Sequence, residues 1–422
     1  LTTSKVNKLV LFFLFSINRP KDVKLSLQNK ASFFPSFLFP SYASRGPIKL
    51  SDKAVKLPIL KYLSGLRELQ GDYIAGLVQA APAPFTATLK KNKESLNIST
   101  KFTLVQKKKY KDVILAILHK FNVGFVYYSD KDQSIIYQVN KLSELSDVII
   151  PFFMNHQLRS GKLTSFLQFK YIVEVLSRGQ INRQVLLSLM VIASNLNPLG
   201  KVGGKIRYLR ALEQKLVINN IQPASVDISK LTQVITNFKA KPLTVDFLQG
   251  LWDGDGGLSA YFKSIKKTPE GFICNMGFSF TIAQDIHNLS LLNEIKSYFN
   301  DRGEVFELSK QCNIYKSGKK SDLISVILPK ILNKESLEGD FDNLFLPFMK
   351  GYKIYFTCKI LELLKNSTLD KSTFHEVLRF SYHISRKSDN LTFKDYVKSS
   401  YDDLLLASPQ LEKVERFFKP VQ

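Results

Sequence analysis

The sequence predicts an α+β protein made of two pseudo-symmetric αββαββα repeats, packed against each other through the first helix of each. Two observations carry this. A run of features recurs in the same order after about 174 residues, and within each run the apolar spacing alternates between strand and helix periods. A unit of that length means a duplicated domain and not a solenoid, whose units run about 20–50 residues.

The first helix of copy one opens DYIAGLVQAAPAPF, Asp72–Phe85, and that of copy two opens DFLQGLWDGDGGL, Asp246–Leu258. After a polar hairpin comes a strand ending in Gln, FTLVQ at Phe102–Gln106 and FTIAQ at Phe280–Gln284. An amphipathic helix follows, Tyr110–Phe121 in one copy and Leu289–Phe299 in the other. A Gly turn then leads to a strand, Val123–Ser129 or Arg302–Ser309. The next strand is read at Ser134–Asn140 in copy one and at Ser321–Leu328 in copy two. IIPFF at Ile149–Phe153 is paired with LFLPFM at Leu344–Met349, and each copy closes on a helix, Phe166–Leu176 or Phe356–Leu364.

These elements divide the chain into an N-terminal extension (1–68), a first repeat (69–196), a basic linker (197–241), a second repeat (242–405) and a tail (406–422). The extension is broken by Pro20, Pro35, Pro40, Pro47 and Pro58 and reads as leader or upstream-frame sequence, with a transit peptide as the other option. Its apolar run Leu9–Phe15 is far short of the ~20 residues that span a bilayer, so no membrane partner is expected.

The chain's 60 Lys and Arg outnumber its 36 Asp and Glu, a formal charge of +24. An excess of that size points to a polyanionic partner, nucleic acid before membrane. Cys274, Cys312 and Cys358 are too few and too scattered for a disulfide framework or a zinc finger and read as reduced core residues. The five His residues show no metal-ligand spacing, and no HNH-type cluster or GIY-YIG pairing is present.

The motif helices explain how the copies meet. Gly76 and Ala80 are four residues apart, as are Gly250 and Gly254, so each pair shares a helix face. Small residues at that spacing let two backbones approach closely. Leu77 and Leu251 are expected to face the cores.

LQGLWDGDG at Leu248–Gly256 resembles the LAGLIDADG signature of homing endonucleases and intron maturases, and IAGLVQAAP at Ile74–Pro82 is a degenerate copy. The layout from about Asp72 to Ser400 looks like the two-repeat, single-chain, intron-encoded members. The resemblance implies a hydrolase that cuts DNA at a specific site with Mg²⁺ as cofactor, with Asp255 as the metal-binding carboxylate. A hard cation held by carboxylate oxygen neutralises developing charge and activates water. Asp253 lies about 200° away around the helix and reads as structural. Ala81 stands at the acid position of copy one and Pro82 at the Gly position, where proline cannot take left-handed geometry. One catalytic centre is therefore expected to be lost. Site-specific cleavage reduced to nicking, DNA binding without cleavage and RNA-splicing maturase activity all remain open.

By the same resemblance, Gln106 and Gln284 sit near a metal-bound water, and Lys162, just before the last helix of copy one, is a catalytic-site lysine. Its copy-two counterpart is ambiguous between Lys350 and Lys353. On residue type alone the glutamines could equally be DNA-facing polar groups and the lysines phosphate contacts. Two curved antiparallel four-stranded sheets would form a saddle on double-stranded DNA, reading a long asymmetric target. The DNA-binding candidates are Lys90, Lys91, Lys93, Lys101, Lys263, Lys266 and Lys267. Intron RNA is the other expected partner, the protein being a monomer with internal pseudo-twofold symmetry. The Phe-, Lys- and Asn-rich composition suits a mitochondrion, or else a chloroplast.

Overall fold

A computed structural model describes residues 48–49, 69–91, 96–179, 181, 183–196, 241–337 and 349–385. Most of the extension, nearly all of the linker and the tail lie outside the described residues.

Copy one runs through β1 (Ile48–Lys49), α1 (Gly71–Ala80), β2 (Phe85–Lys91), β3 (Leu96–Lys107), α2 (Lys111–Phe121), β4 (Phe125–Ser129) and β5 (Ser134–Val139). It closes with a helical stretch ending in α3 (Ile150–Asn155), then α4 (Ser160–Ser177) and α5 (Arg183–Asn195). Copy two has α6 (Val245–Asp255), β6 (Gly256–Thr268), β7 (Gly271–Asp285), α7 (Leu289–Tyr298), β8 (Glu304–Ser309) and β9 (Cys312–Ser317). It ends with α8 (Leu328–Leu332), α9 (Gly351–Leu363) and α10 (Lys371–Ser385).

The sheets have orders β1-β4-β5-β3-β2 and β6-β7-β9-β8, antiparallel throughout. The second is the first without its outermost strand. The expected four strands of copy one are thus five, because Ile48 and Lys49 of the extension pair with Val126 and Phe125 on an edge that would otherwise be open.

Register shows how closely the copies repeat. Phe102 pairs with Val139 and Gln106 with Ile135; 178 residues on, Phe280 pairs with Ser317 and Gln284 with Asn313. The cores repeat too. Phe121 stacks on Tyr137 with centroids 6.0 Å apart, and Phe299 on Tyr315 at 5.7 Å. Each tyrosine hydroxyl donates to the backbone beside the Gly turn, Tyr137 to Val123 O at 2.9 Å and Tyr315 to Arg302 O at 2.8 Å. Gly124 and Gly303 have φ of 74° and 81°, a left-handed conformation that favours glycine at both turns.

Copy two departs from expectation after β8. The strand partner is Cys312–Ser317, and Ser321–Leu328 is helical, passing through a π turn at Leu323–Ile327. The apolar residues suggest a strand by composition, but Leu323, Ile327 and Ile331 are buried at four-residue spacing, a helix period. Copy one has the same π turn at Leu145–Ile149. Pro151 and Pro329 follow the two turns at the start of a new helical segment, where a missing N–H costs little. The counterpart of IIPFF is therefore the segment around Pro329, not LFLPFM, of which residues 344–348 lie outside the described residues. The helical hairpins α4–α5 and α9–α10 also extend each copy past its expected last helix.

The motif helices α1 and α6 pack directly on each other. A Cβ added at Gly76 would lie 1.9 Å from Phe247 O, and one at Gly250 1.9 Å from Tyr73 O. At Gly254 it would lie 2.1 Å from Ala80 Cβ. The seam is thus backbone on backbone, with Leu77 and Leu251 fully buried. Asp253 ties it to α9: its carboxylate accepts from Tyr73 Oη at 2.7 Å and from the backbone N–H groups of Met349 and Lys350 at 2.7 and 2.8 Å. In copy one Gln79 occupies the matching position, and its Oε1 accepts from Arg159 N at 2.9 Å.

Candidate active site

The two motif helices end side by side, but not in the same way. α6 continues helically through Asp255 and leaves at Gly256 with φ −83° and ψ 159°. α1 stops at Ala80, and Ala81 is already extended at φ −67°, ψ 136°. Proline disfavours helical geometry in the residue before it, so Pro82 ends α1 one residue early. Gly256 is not left-handed, which corrects the expectation that proline fails at this place for want of positive φ. The glycine is needed for space: a Cβ there would meet the Trp252 ring at 2.1 Å. Copy one has the smaller Val78 where copy two has Trp252.

A cleft of about 610 Å³ opens below these ends, lined by Asp255, Gln284, Asp285, Lys162, Ala81 and Asn288 among others. Gln284, buried at the end of β7, donates from Nε2 to Asp255 Oδ2 at 2.7 Å and accepts at Oε1 from Asn288 Nδ2 at 3.2 Å. The side chain is held at both ends. Lys162 lies in the first turn of α4, not before it, and its ammonium donates to Ala81 O at 2.5 Å and Pro82 O at 3.4 Å. It closes the foot of α1. Burial pushes it down to about 8, while Asp255 and Asp285 pull it back up, so both acids act on this ammonium. Asp285 was not singled out from sequence; its place directly after the FxxxQ glutamine was the available signal.

The copy-two lysine divides into two roles. Lys350 donates to Gly256 O at 2.8 Å and Gly254 O at 3.0 Å, closing the foot of α6 as Lys162 closes that of α1. Lys353 stands in the first turn of its helix, as Lys162 does, but donates to Ile384 O at 2.6 Å. Gln106 is half-buried on β3, and position 81 offers it no carboxylate. Lys101 is half-buried, whereas Lys263, Lys266 and Lys267 are exposed on β6, Lys263 as the extra residue of a bulge. Lys93 and the side chains of Lys90 and Lys91 lie outside the described residues.

The donor set suits a hydrated hard cation. Asp255 has one oxygen occupied by Gln284, and the buried Asn288 Oδ1, also on the cleft, has no hydrogen-bond partner. Among the described residues no three His, Cys, Asp or Glu converge, so an all-protein cage is absent there. One carboxylate with waters and substrate phosphates is the way Mg²⁺ is commonly held. Asp255 lines the cleft and its side chain is exposed there. Desolvation by the surrounding protein pushes its carboxyl up to about 7, against the pull of Lys350, Lys162 and Gln284. A cation and a proton compete for the group. Ca²⁺ affinity, titrated calorimetrically, should therefore fall about tenfold per pH unit below about 7 and level off above it. An affinity flat from pH 5 to 8 would mean either that the carboxyl is already ionised at pH 5 or that Asp255 is not the ligand.

Residues 74–173 match the family model described as LAGLIDADG endonuclease. That stretch runs from the first motif helix into α4. The chain is 29% identical over 226 residues to a probable intron-encoded DNA endonuclease 1 of Mycosarcoma maydis, covering 49% of this chain and 72% of that protein. It is 23% identical over 294 residues to a probable intron-encoded endonuclease 2 of Neurospora crassa, covering 67% of this chain and 60% of the relative. Among solved structures it resembles the LAGLIDADG homing endonuclease I-GzeII in complex with its DNA target. The TM-score is 0.57 at 19% identity, covering 76% of this chain and 100% of the other. I-SmaMI bound to uncleaved DNA in the presence of calcium ions also has a TM-score of 0.57 at 19% identity, covering 74% and 98%. At these identities the structural likeness speaks to the fold. No helix among the described residues is long and apolar enough to cross a membrane.

Proposed function

We propose that the protein is a site-specific, intron-encoded DNA endonuclease that hydrolyses one strand of its target, using a single divalent-cation centre at Asp255. The observation that carries this is the contrast at the helix feet. Asp255 is held by Gln284, while Ala81 has no ligand atom and Pro82 turns its backbone out of the helix. Mg²⁺ bound at Asp255 would neutralise charge on the scissile phosphate and supply an activated water. Gln284 fixes the carboxylate's orientation, and Asn288 fixes Gln284. Lys162 presents a positive charge across the cleft from both acids, where charge develops on phosphate oxygens.

In this reading residues 69–196 and 242–405 form the two halves of a monomer, joined by 197–241. Lys101, Lys263, Lys266 and Lys267 contact the backbone of a long, asymmetric duplex. The proposed compartment is a mitochondrion, a reading supported by the Phe-, Lys- and Asn-rich composition and by the likeness to intron-encoded relatives.

A supercoiled plasmid carrying a site selected from a randomised library, incubated with Mg²⁺, is expected to give nicked circle. Linear product would mean that a second acid acts for position 81. Tight, site-specific binding with intact plasmid would move the function to binding alone, with intron RNA as the next substrate.

A further inference from the structure

We propose that the vacated half-site is a metal-free clamp for a DNA backbone phosphate, built from Lys107 at the end of β3 and Lys350 at the foot of α6. The proposal rests on the endonuclease reading and extends it to the strand that is not cut.

The two half-sites can be compared residue by residue because their strands share one register. Lys107 pairs with Ser134 as Asp285 pairs with Cys312, each directly after the glutamine that ends its strand. Lys107 therefore stands where the intact half has Asp285, and Ala81 where it has Asp255. Two carboxylates are replaced by a methyl and an ammonium, a swing of three unit charges between otherwise matching places. Loss of a centre by drift would remove the acids; it would not by itself set a cation there.

Lys350 supplies the second charge. Its ammonium is fixed at the foot of α6, which lies against α1 at Gly254 and Ala80. Burial lowers it, Asp253 and Asp255 pull it up, and Lys107 lowers it again, so the two ammonium groups share one field. Lys353 and Lys109 add to that field, since burial, Lys350 and Lys109 together push Lys353 down to about 8. Cations gathered with mutual repulsion are relieved by an anion, and a backbone phosphate is the anion that the proposed DNA substrate offers. The intact half needs a divalent cation to accept its phosphate beside two acids. The vacated half does not.

The test is binding, not cleavage. The full chain is used in EDTA to enrich a duplex from a randomised library, and single methylphosphonates are then placed at each central position of either strand. On one strand, neutralising one central phosphate should weaken binding about tenfold. On the other, the matching substitution should leave binding unchanged or tighten it. Lys107 is exposed, so Lys107→Gln should not disturb the fold. In that variant the sensitive methylphosphonate should become neutral, and the log–log salt slope should shrink by about 0.9. Equal losses on both strands, or a loss that persists in Lys107→Gln, would overturn the clamp while leaving the endonuclease reading in place. Enrichment of no duplex at all would overturn that reading and the clamp with it.

Discussion

Asp255→Asn is expected to abolish strand cleavage while leaving the fold and metal-free DNA binding intact. Asparagine keeps the size of the side chain and an oxygen for Gln284 to donate to, now 2.7 Å from Asp255 Oδ2. What it removes is the negative charge that a hard cation requires. Loss of an outer partner of a metal ligand commonly costs about 10–100-fold, and loss of the ligand itself should exceed that range. The nicking rate should therefore drop more than about 100-fold, and the calorimetric Ca²⁺ signal should disappear. Stability gives an independent readout. The folded carboxyl holds its proton more tightly than the unfolded one, with a pKa raised from 3.8 to about 7. Its contribution is fully present below the unfolded value and is lost as pH rises through about 7. At pH 8 the variant should melt at or above the temperature of the parent. A variant that still nicks at a tenth of the parent rate would rule out Asp255 as the metal carboxylate. One that melts well below the parent would make the residue structural.

Gly76→Ala and Gly250→Ala should each destabilise the protein by about 3 kcal/mol or more, the upper end of what overpacking costs. Each added methyl would fall 1.9 Å from a carbonyl oxygen of the facing helix, Phe247 O or Tyr73 O. Backbone cannot rotate away as a side chain tip can, so the helices must move apart along the whole seam. The displacement would carry Asp255 and Lys162 with it, and activity should fall beyond what the unfolded fraction explains. Gly318→Ala, whose methyl would find its nearest neighbour at 3.7 Å, is the control and should change stability by less than about 0.5 kcal/mol. Urea unfolding midpoints measure all three. Midpoints for Gly76→Ala and Gly250→Ala equal to the control would mean that the two helices do not meet at those glycines.

The duplication was legible because its signals are local: a small-residue face on a helix, a glutamine closing a strand, a glycine at a turn. Each survives in the chain as a pattern a few residues long. The fifth strand was not legible, since Ile48 and Lys49 carry no strand signal and exist as a strand only by pairing with β4. Ser321–Leu328 misled because β-branched content and helical spacing conflict there, and burial of Leu323 and Ile327 decides for the helix. At the site, Asp255 stood out by motif. Asp285 and Lys107 did not, because their meaning comes from a shared register that only the paired strands display. The choice between Lys350 and Lys353 likewise needed three dimensions. Sequence spacing favours Lys353, while the carbonyl groups that receive the ammonium favour Lys350.

The seam between α1 and α6 is backbone on backbone at its glycines, with Tyr73 bonded across it to Asp253, and neither Asp255 nor its absent partner takes part in it. Assembly of the two halves is thus insulated from the reaction they perform. A lineage can lose one acid, or exchange it for a cation, without losing the scaffold that sets the spacing of its grip on the duplex. Each half is then free to follow its own history, and a symmetric ancestor can become a protein whose two sides do different work on the two strands.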